Sequence, residues 1–582
     1  MNSSAASEWR TSLRVRQPEV DGYIERDGVR IFYEAFGTGE PTILMLPTWS
    51  VVHAAHGRFQ IADLARNYRV VTFDGRGNGR SDRPKGAAAY DDRRFVADAL
   101  GVLDATGTER AVVIACSTAT RWLLRLAAEH PDRVLAAVAS GTSLPLAPGH
   151  LLPADMVPLH ERYRSTDGWA KFNAHYWRDD YEAFLRFFFS QVWTEPHSHK
   201  VIDDCVAWGL ETTPETLIDT IDAPAITEAE AIALARRVRC PMLVIHGGDD
   251  AVTPPERSVR LAQETNASLV ILEGAGHCSG NRDPVKFNLL VREFVESFLP
   301  QRPKVTNWTR AQTRDKRVLF VPSGATPRSA RRDMMIADAL RSLRPGLRIE
   351  WLVSAPVRQL LEEQGEAIHP ASDELASEAP RPEQEVGEHQ LQRLGAWQLL
   401  DEVHLRNFMV FNDLAAREPI DLVIADGARQ IDHHLHENPE LKRFAYAWLT
   451  DTVGWLPVPE GNEREALLTA DANAEMLEQI ERYPRVRDRA IYLGDPADLP
   501  AGTFGPGLPL IRDWTRQHFT LSGPLENMQG RDAARGVASI LAALLSRESE
   551  AEPSSRGYRK DARWPPHPLR CSGAGSRRPD RS

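Results

Sequence analysis

Short apolar runs recur along the chain, and charged or turn-forming residues separate them. Clear examples in the first half are residues 42–46, 111–114 and 242–246. Runs of this length that are rich in Val, Ile and Leu predict buried β-strands. The segment 121–128 follows one of them with apolar residues at helical spacing, and it predicts a helix. Strands that alternate with helices predict an α/β fold with a largely parallel sheet covered on both faces.

The same alternation returns in the second half of the chain. A polar linker at 301–316 precedes it, and the predicted strands are residues 317–322, 347–353, 421–426 and 490–494, with a helix at 332–343. This pattern predicts a second, Rossmann-like α/β domain over residues 317–525.

The run 111–114 leads into a pentapeptide that ends in a predicted helix, with Ser117 at its centre. A serine on a tight strand–turn–helix is strained, and its hydroxyl projects above the edge of the sheet. The two backbones pass close together there, so the positions two before and two after the nucleophile must be small. Ala115 and Ala119 meet this demand, whereas Cys116 as the nucleophile would have bulkier flanking residues. Ser117 is therefore the candidate nucleophile.

Two further apolar runs end in loops that carry the partners of a serine nucleophile. The run 242–246 leads to Asp249 and Asp250, and the run 269–272 leads to a Gly-rich loop with His277. A histidine in this position takes the serine proton and later delivers it to the leaving group. A carboxylate fixes the imidazole tautomer and stabilises the imidazolium.

With the order Ser117, Asp250, His277, residues 22–300 resemble an α/β-hydrolase of the esterase and lipase type. The glycine-rich turn at 74–82 is similar to the turn that precedes the nucleophile in that family. The resemblance implies a Ser–His–Asp triad that needs neither a metal nor a cofactor. The family spacing of acid, three residues, then proline favours Asp250 over Asp249.

The family also stabilises the oxyanion with two backbone N–H groups. The resemblance assigns these groups to Thr118, which follows the nucleophile, and to Trp49, which follows the strand 42–46. The usual His-Gly dipeptide before the second position is here Pro47-Thr48. Trp49 has a second interpretation, in which its indole forms a wall of the acyl pocket.

Residues 145–239 differ from the rest of the first half and predict a helical cap over the nucleophile. Their aromatic residues are Tyr163, Trp169, Phe172, Tyr176, Trp177, Tyr181, Phe184, Phe187, Phe188, Phe189 and Trp193. Most of them are expected to pack the cap onto the sheet, and a few to line an apolar cleft. Such a cleft suits small carboxylic esters or lactones. N-acyl-homoserine lactones are among them, so quorum quenching is one predicted role.

The second half resembles the N-terminal, acceptor-side lobe of a two-lobed nucleotide-sugar glycosyltransferase. The similar segments are residues 318–341, 436–442 and 504–509. Residues 526–582 are too few for the donor lobe of such an enzyme, on a domain size of roughly 100–150 residues. A glycosyltransferase or its remnant, with a hydrolase domain acting on its acceptor or product, is therefore the alternative function.

Composition excludes several other classes. The net charge of -11 over 582 residues gives no reason to expect nucleic acid as a partner. No apolar stretch reaches the ~18 residues of a membrane helix, and the N-terminus lacks a signal-peptide core. The five cysteines show no paired spacing, as suits a cytoplasmic protein. The oligomeric state stays open.

Two remaining features carry no predicted chemistry. His433, His434 and His436 form a dense cluster that we interpret as a polar helix start, not as a metal site. Residues 553–582 are rich in Ser, Gly, Pro and Arg, and they predict a disordered basic tail.

Overall fold

The first half of the chain is built on a mixed sheet, and the buried apolar runs of the sequence form most of its strands. The computed structural model describes residues 14–147, 158–299, 314–322, 327–378, 400–456, 463–523 and 530–546. One compact unit, Met1–Ser546, contains all of them. The predicted tail and most of the predicted linker lie outside the described residues.

Eight strands of the described chain form the first sheet. They are β1 Val20–Arg26, β2 Val29–Phe36, β3 Thr42–Met45, β4 Arg69–Phe73, β5 Ala111–Cys116, β6 Val134–Ser140, β7 Met242–Gly247 and β8 Ser268–Leu272. Their order is β1-β2-β4-β3-β5-β6-β7-β8. β1 and β2 pair antiparallel, as do β2 and β4, and the remaining pairs are parallel.

Helices cover both faces of this sheet. They are α1 Arg58–Leu64, α2 Asp92–Ala105, α3 Ala119–Glu129, the cap helices α4 Ala174–Asp179, α5 Tyr181–Val192, α6 His199–Gly209, α7 Pro214–Asp222 and α8 Glu228–Ala235, then α9 Pro255–Thr265, α10 Ser279–Arg282 and α11 Pro284–Phe298. Helix α3 is almost wholly buried, and its Trp122 stacks on Phe95 of α2 with ring centroids 3.8 Å apart. This packing fixes the helix that follows the candidate nucleophile.

The cap helices α4 to α8 lie between β6 and β7, where the sequence predicts a helical insertion. Residues 148–157 of that insertion lie outside the described residues. Phe184 and Trp177 are fully buried inside the cap, with ring centroids 4.6 Å apart. The buried aromatic residues of the cap pack on one another and on Trp49, Val51 and Val52 of the loop after β3.

The second half forms a separate parallel sheet, as its strand and helix pattern predicts. Its strands are β9 Arg317–Pro322, β10 Arg348–Trp351, β11 Leu422–Asp426, β12 Ala445–Thr450, β13 Arg489–Tyr492 and β14 Thr520–Leu521, in the order β10-β9-β11-β12-β13-β14. All neighbouring strands are parallel. The sequence analysis did not identify β12 or β14.

The helices of this half are α12 Pro327–Leu343, α13 Val357–Glu363, α14 Asp401–Arg417, α15 Arg429–Glu437, α16 Glu463–Arg482, α17 Ile511–His518 and α18 Gly530–Ser546. Two expectations need correction. Helix α12 begins before residue 332. The histidine cluster lies in the second half of α15 and not at its start, and His434 and His436 are buried there.

Helix α14 packs against helices of the first half through a buried group of four charges. Arg66, just after α1, lies 3.1 Å from Asp63 and 3.0 Å from Asp413 of α14. Arg292 of α11 lies 2.9 Å from Asp413 and 3.4 Å from Asp63. We call these four residues the joint cluster. Their side chains are at most 11% exposed, so the charges depend on one another and not on solvent.

Apolar contacts surround the joint cluster. Val285 of α11 is buried within the core of the second half, and Phe59 and Leu289 pack against that core. The two halves therefore share a continuous interior. Among the described residues, no helix is long and apolar enough to cross a membrane.

We predict that Arg292→Met destabilises the whole folded unit. The substitution leaves Asp63 and Asp413 buried with Arg66 as their remaining cation in the joint cluster. Breaking a buried ion pair by removing one partner costs about 3–5 kcal/mol. Urea denaturation followed by tryptophan fluorescence should show a free energy of unfolding lower by about that amount.

The matched control is Arg93→Met. Arg93 also makes ion pairs, but its own side chain is 65% exposed. Exposed pairs contribute about 0–1 kcal/mol. Equal losses for the two variants would contradict a special role for the joint cluster.

Candidate active site

Ser117 lies at the carboxyl end of β5, directly before the N-cap of α3. Its φ of 56° is in the left-handed region, which is rare for a residue other than glycine. The Ser117 backbone is held on both sides. Its N–H donates to Ser140 of β6 at 2.9 Å, and its carbonyl accepts from the Thr120 hydroxyl at 2.7 Å. The strained conformation predicted from the sequence is present at this residue.

His277 links Ser117 to Asp250. Its Nε2 lies 2.8 Å from Ser117 Oγ, and its Nδ1 lies 2.7 Å from Asp250 Oδ2. His277 and Asp250 are buried, while Ser117 keeps partial exposure. The sequence order of the three residues therefore becomes a continuous hydrogen-bonded chain from carboxylate to hydroxyl.

Asp250 accepts several hydrogen bonds besides that of His277. The backbone N–H groups of Val252 and Thr253 donate to its Oδ1 at 2.7 and 2.8 Å, and the Thr253 hydroxyl donates to Oδ2. Nε2 of His246 lies 3.1 Å from the same Oδ2. Burial would raise the pKa of Asp250, but the two histidines outweigh it and hold that pKa well below its usual range. The carboxylate is therefore ionised.

Asp249, the competing carboxylate, is exposed and has no contact with the imidazole of His277. Its carbonyl accepts a hydrogen bond from Thr194, and its N–H donates to Ala275. The geometry therefore pairs His277 with Asp250.

The loop that carries His277 is fastened to the end of cap helix α5. The His277 N–H donates to the Val192 carbonyl at 2.9 Å, and the Gly276 N–H donates to Glu195 Oε1 at 2.6 Å. Burial lowers the pKa of His277, but Asp250 outweighs this effect and raises it above 6.5. Glu195 and His246 lack any local motif, and the sequence analysis did not identify them.

Thr118 directly follows Ser117, and Trp49 lies in the loop after β3. Among the described residues, neither of their backbone N–H groups donates to another protein group. The Thr48 hydroxyl donates to the Cys116 carbonyl at 3.0 Å, so the loop of Trp49 is tied to the strand that ends at Ser117. Thr48 thus fixes the loop in which the sequence lacks the His-Gly dipeptide of the family.

The glycine-rich turn at 74–82 makes hydrogen bonds to the loop that carries Trp49. The Ser50 hydroxyl donates to the Arg76 carbonyl at 2.8 Å, and the Asn78 amide donates to the Ser50 carbonyl at 3.0 Å. The Arg76 guanidinium itself makes a buried ion pair with Asp98. Arg76 therefore has a structural role in this turn.

The indole of Trp49 points into the cap. It contacts Phe188 at 5.2 Å and Phe172 at 6.1 Å between ring centroids, and its Nε1 donates to Thr220 at 2.7 Å. Trp49 therefore joins the aromatic cluster of the cap. The two interpretations of this residue are compatible, because one uses its backbone and the other its side chain.

Two thiols meet beside the triad. Cys116 Sγ lies 3.6 Å from Cys278 Sγ, and these residues are the neighbours of Ser117 and His277 in the chain. The contact with Cys278 lowers the pKa of Cys116. The scattered positions of the cysteines in the sequence gave no sign of this pair.

Among the described residues, one group has the spacing of a metal site. His433, His434 and Glu437 present ligand atoms within 4.8 Å of one another on α15. Arg282 lies 2.8 Å from Glu437, so a guanidinium already neutralises the carboxylate of this group. The set is therefore poorly suited to a divalent cation, and it lies apart from Ser117.

Comparison with known proteins agrees with the architecture of the first half. Residues 41–280 match the family model described as the alpha/beta hydrolase fold. A 2-hydroxymuconate semialdehyde hydrolase of Pseudomonas sp. (strain CF600) is 29% identical over 283 residues, 48% of this chain and 94% of that protein. A non-heme haloperoxidase of Rhodococcus erythropolis is 27% identical over 279 residues, 47% of this chain and 97% of that protein.

Among solved structures, Est816, described as an N-acyl homoserine lactone degrading enzyme, aligns with a TM-score of 0.40 and 24% identity. The alignment covers 47% of this chain and all of Est816. The enol-lactonase of Burkholderia xenovorans LB400 has the same TM-score and identity, over 47% of this chain and 99% of its own. The first half of the chain contains an α/β-hydrolase domain, and the chain is a hydrolase enzyme.

We predict that Asp250→Asn lowers the pKa of His277. The substitution removes the charge that favours the imidazolium and leaves the burial that disfavours it. Titration of the histidine resonances by NMR measures this pKa directly. Asp249→Asn is the matched control and should leave the His277 pKa unchanged; a larger shift in that variant would reverse the choice of carboxylate.

Proposed function

We propose that this protein cleaves small carboxylic esters or lactones through a Ser117–His277–Asp250 triad and an acyl-enzyme. The observation that carries the proposal is the continuous hydrogen bonding of His277, 2.8 Å to Ser117 Oγ and 2.7 Å to Asp250 Oδ2. Distances of this size allow proton transfer from the hydroxyl without rearrangement. The proposed reaction needs no metal and no cofactor.

In the first half-reaction, Ser117 Oγ attacks the acyl carbon while His277 Nε2 takes the hydroxyl proton. Asp250 holds the other ring nitrogen and stabilises the imidazolium that forms. The negative charge on the acyl oxygen is received by the backbone N–H groups of Trp49 and Thr118. His277 then returns the proton to the leaving alcohol oxygen. In a lactone that oxygen stays attached to the acyl group.

In the second half-reaction, water attacks the acyl-enzyme. His277 takes a proton from the water, and the tetrahedral intermediate collapses to release the carboxylic acid and regenerate Ser117. The base must be neutral in both steps. Because Asp250 raises the pKa of His277 above its usual value, activity should fall as the pH drops through that raised pKa and the imidazole becomes protonated.

The proposed substrate class rests on the aromatic residues of the cap that contact Trp49. Trp49, Phe172 and Phe188 form an aromatic wall on the cap side, which suits an apolar acyl chain or a compact ring. N-acyl-homoserine lactones combine such a chain with a small cyclic ester. We include them in the proposal, and with them a role in quorum quenching.

The domain assignment is part of the proposal. It comprises an α/β-hydrolase domain at 22–300 with its cap at 145–239, a linker at 301–316 and a glycosyltransferase-like domain at 317–525. The alternative function is a glycosyltransferase or its remnant whose acceptor or product the hydrolase modifies; it rests on the sequence resemblance of the second half, since a parallel sheet by itself does not indicate a function. The hydrolase ranks first because its complete set of reacting groups is present.

We predict that a fluorophosphonate probe labels Ser117 and that the protein hydrolyses p-nitrophenyl butyrate. The labelled peptide, identified by mass spectrometry, should contain Ser117, and labelling should disappear in Ser117→Ala. Activity should persist in EDTA because no metal takes part. Ser143, a partly buried serine on the loop after β6, provides the matched control as Ser143→Ala. Labelling that survives Ser117→Ala would refute the proposed nucleophile.

The lactone proposal predicts ring opening of N-decanoyl-homoserine lactone by the wild-type protein but not by Ser117→Ala. Mass spectrometry should detect the gain of one water, and acidification should restore the lactone. Release of free decanoic acid would instead indicate cleavage of the amide bond. Unchanged lactone beside rapid turnover of the p-nitrophenyl ester would restrict the protein to open-chain esters.

A further inference from the structure

A cavity of about 240 Å³ lies where the two halves of the described chain meet. The first half contributes Phe59 and residues near 197–201 and 281–284, and the second half contributes side chains from α14, α15, α16 and β12. Neither Ser117 nor His277 lines it. A cavity of roughly 150 Å³ can hold benzene, so this one has room for a molecule of one or two rings.

The charges that line the cavity are almost all paired. The carboxylates contributed by the described residues each have a cationic partner: Asp401 pairs with Arg58 and Lys200, Asp432 with Arg487, Glu437 and Glu475 with Arg282, and Asp471 with His197. The carboxylates of the cavity are therefore already neutralised, and they leave no acidic site for a cationic ligand.

Arg429 is the exception among the cations. It is partly buried at the first position of α15, and its guanidinium donates hydrogen bonds to the Thr452 hydroxyl and the Gly454 carbonyl, at 3.0 and 3.1 Å. No carboxylate of the described residues makes an ion pair with it, and Asp432 and Asp451 act on it only from a greater distance. Burial lowers the pKa of Arg429 to about 10, so the guanidinium is still charged at neutral pH.

One aromatic ring lies against this guanidinium, and others line the same cavity. Arg429 lies over the ring of Trp455 at 4.1 Å from the centroid, and Trp448, Trp514 and Phe519 also line the cavity. Apolar walls beside one unpaired cation form an amphipathic pocket. A buried charge without a partner is costly, and a ligand of opposite charge removes that cost.

We propose that this cavity binds a small organic anion, a carboxylate on a one- or two-ring apolar body, with the carboxylate on Arg429 and the rings against the tryptophans. A guanidinium matches a carboxylate through two parallel hydrogen bonds. The five donors of Arg429 are only partly used by Thr452 and Gly454, so donors remain for the ligand. The site is independent of the triad, so the proposed function can fail without affecting it.

The test is isothermal titration calorimetry of the full chain with 2-naphthoate as the probe. Its neutral counterpart is 2-acetonaphthone, which has the same ring system and a carbonyl but no charge. We expect 2-naphthoate to bind at least tenfold more tightly than the ketone. Equal affinity, or no binding of 2-naphthoate up to its solubility limit, would overturn the proposal.

Substitutions assign the binding to Arg429. Arg429→Gln should weaken 2-naphthoate binding at least tenfold, whereas Arg429→Lys, which keeps the charge, should retain part of it. The exposed Arg535 supplies the matched control as Arg535→Gln, with unchanged affinity expected. Ser117→Ala should also bind the probe as the wild type does, because the triad lies outside the cavity.

Folding of the Arg429 variants is checked by their thermal unfolding midpoints. Wild-type midpoints with weakened binding support the assignment. If Arg429→Gln fails to fold, the proposal is still tested by Arg429→Lys and by the comparison of 2-naphthoate with 2-acetonaphthone. Loss of 2-naphthoate binding in Ser117→Ala but not in Arg429→Gln would place the probe in the hydrolase site and overturn the proposal.

Discussion

The joint cluster is the interaction on which the rest of the structure depends. Asp63 and Asp413 are buried carboxylates from different halves of the chain, and Arg66 and Arg292 each reach both of them. Such charges are stable away from water only when all partners are present. They therefore hold helices α1, α11 and α14 at one spacing. The first sheet and the second sheet then share one interior, and the cavity between them follows from that packing.

The same packing connects the candidate active site with the second half. His277 and Arg282 lie close together in the chain, and the short helix α10 ends at Arg282. His277 reaches Ser117, while Arg282 reaches Glu437 and Glu475 across the boundary. The loop of the catalytic candidate is thus held at one end by the cap and at the other, through Arg282, by helices α15 and α16. The second half therefore contributes to holding the loop that carries His277.

The site residues that could be predicted from the sequence are those whose positions depend on local sequence patterns. Ser117, Asp250 and His277 each lie within five residues of the end of an apolar run, so their positions near the strand ends could be inferred without any knowledge of distant contacts. Arg429 and Glu437 could not be recognised in this way. Arg429 lacks an ion pair because the carboxylates of the cavity are paired with other cations. Glu437 is neutralised by Arg282, which lies 155 residues earlier in the chain. Both properties arise only when the two halves pack, and no spacing within the sequence encodes them.

Asp250 and Arg429 illustrate two opposite uses of a buried charge. Asp250 receives hydrogen bonds from backbone groups, a hydroxyl and His277, so its charge is fully satisfied by the protein and serves to orient the imidazole. Arg429 has two neutral oxygen partners and an aromatic ring, so part of its field is directed into the cavity. A satisfied charge fixes the geometry of its neighbours, because any displacement would cost hydrogen bonds. An incompletely satisfied charge instead favours whatever ligand completes it, and the apolar walls around Arg429 then determine the shape of that ligand.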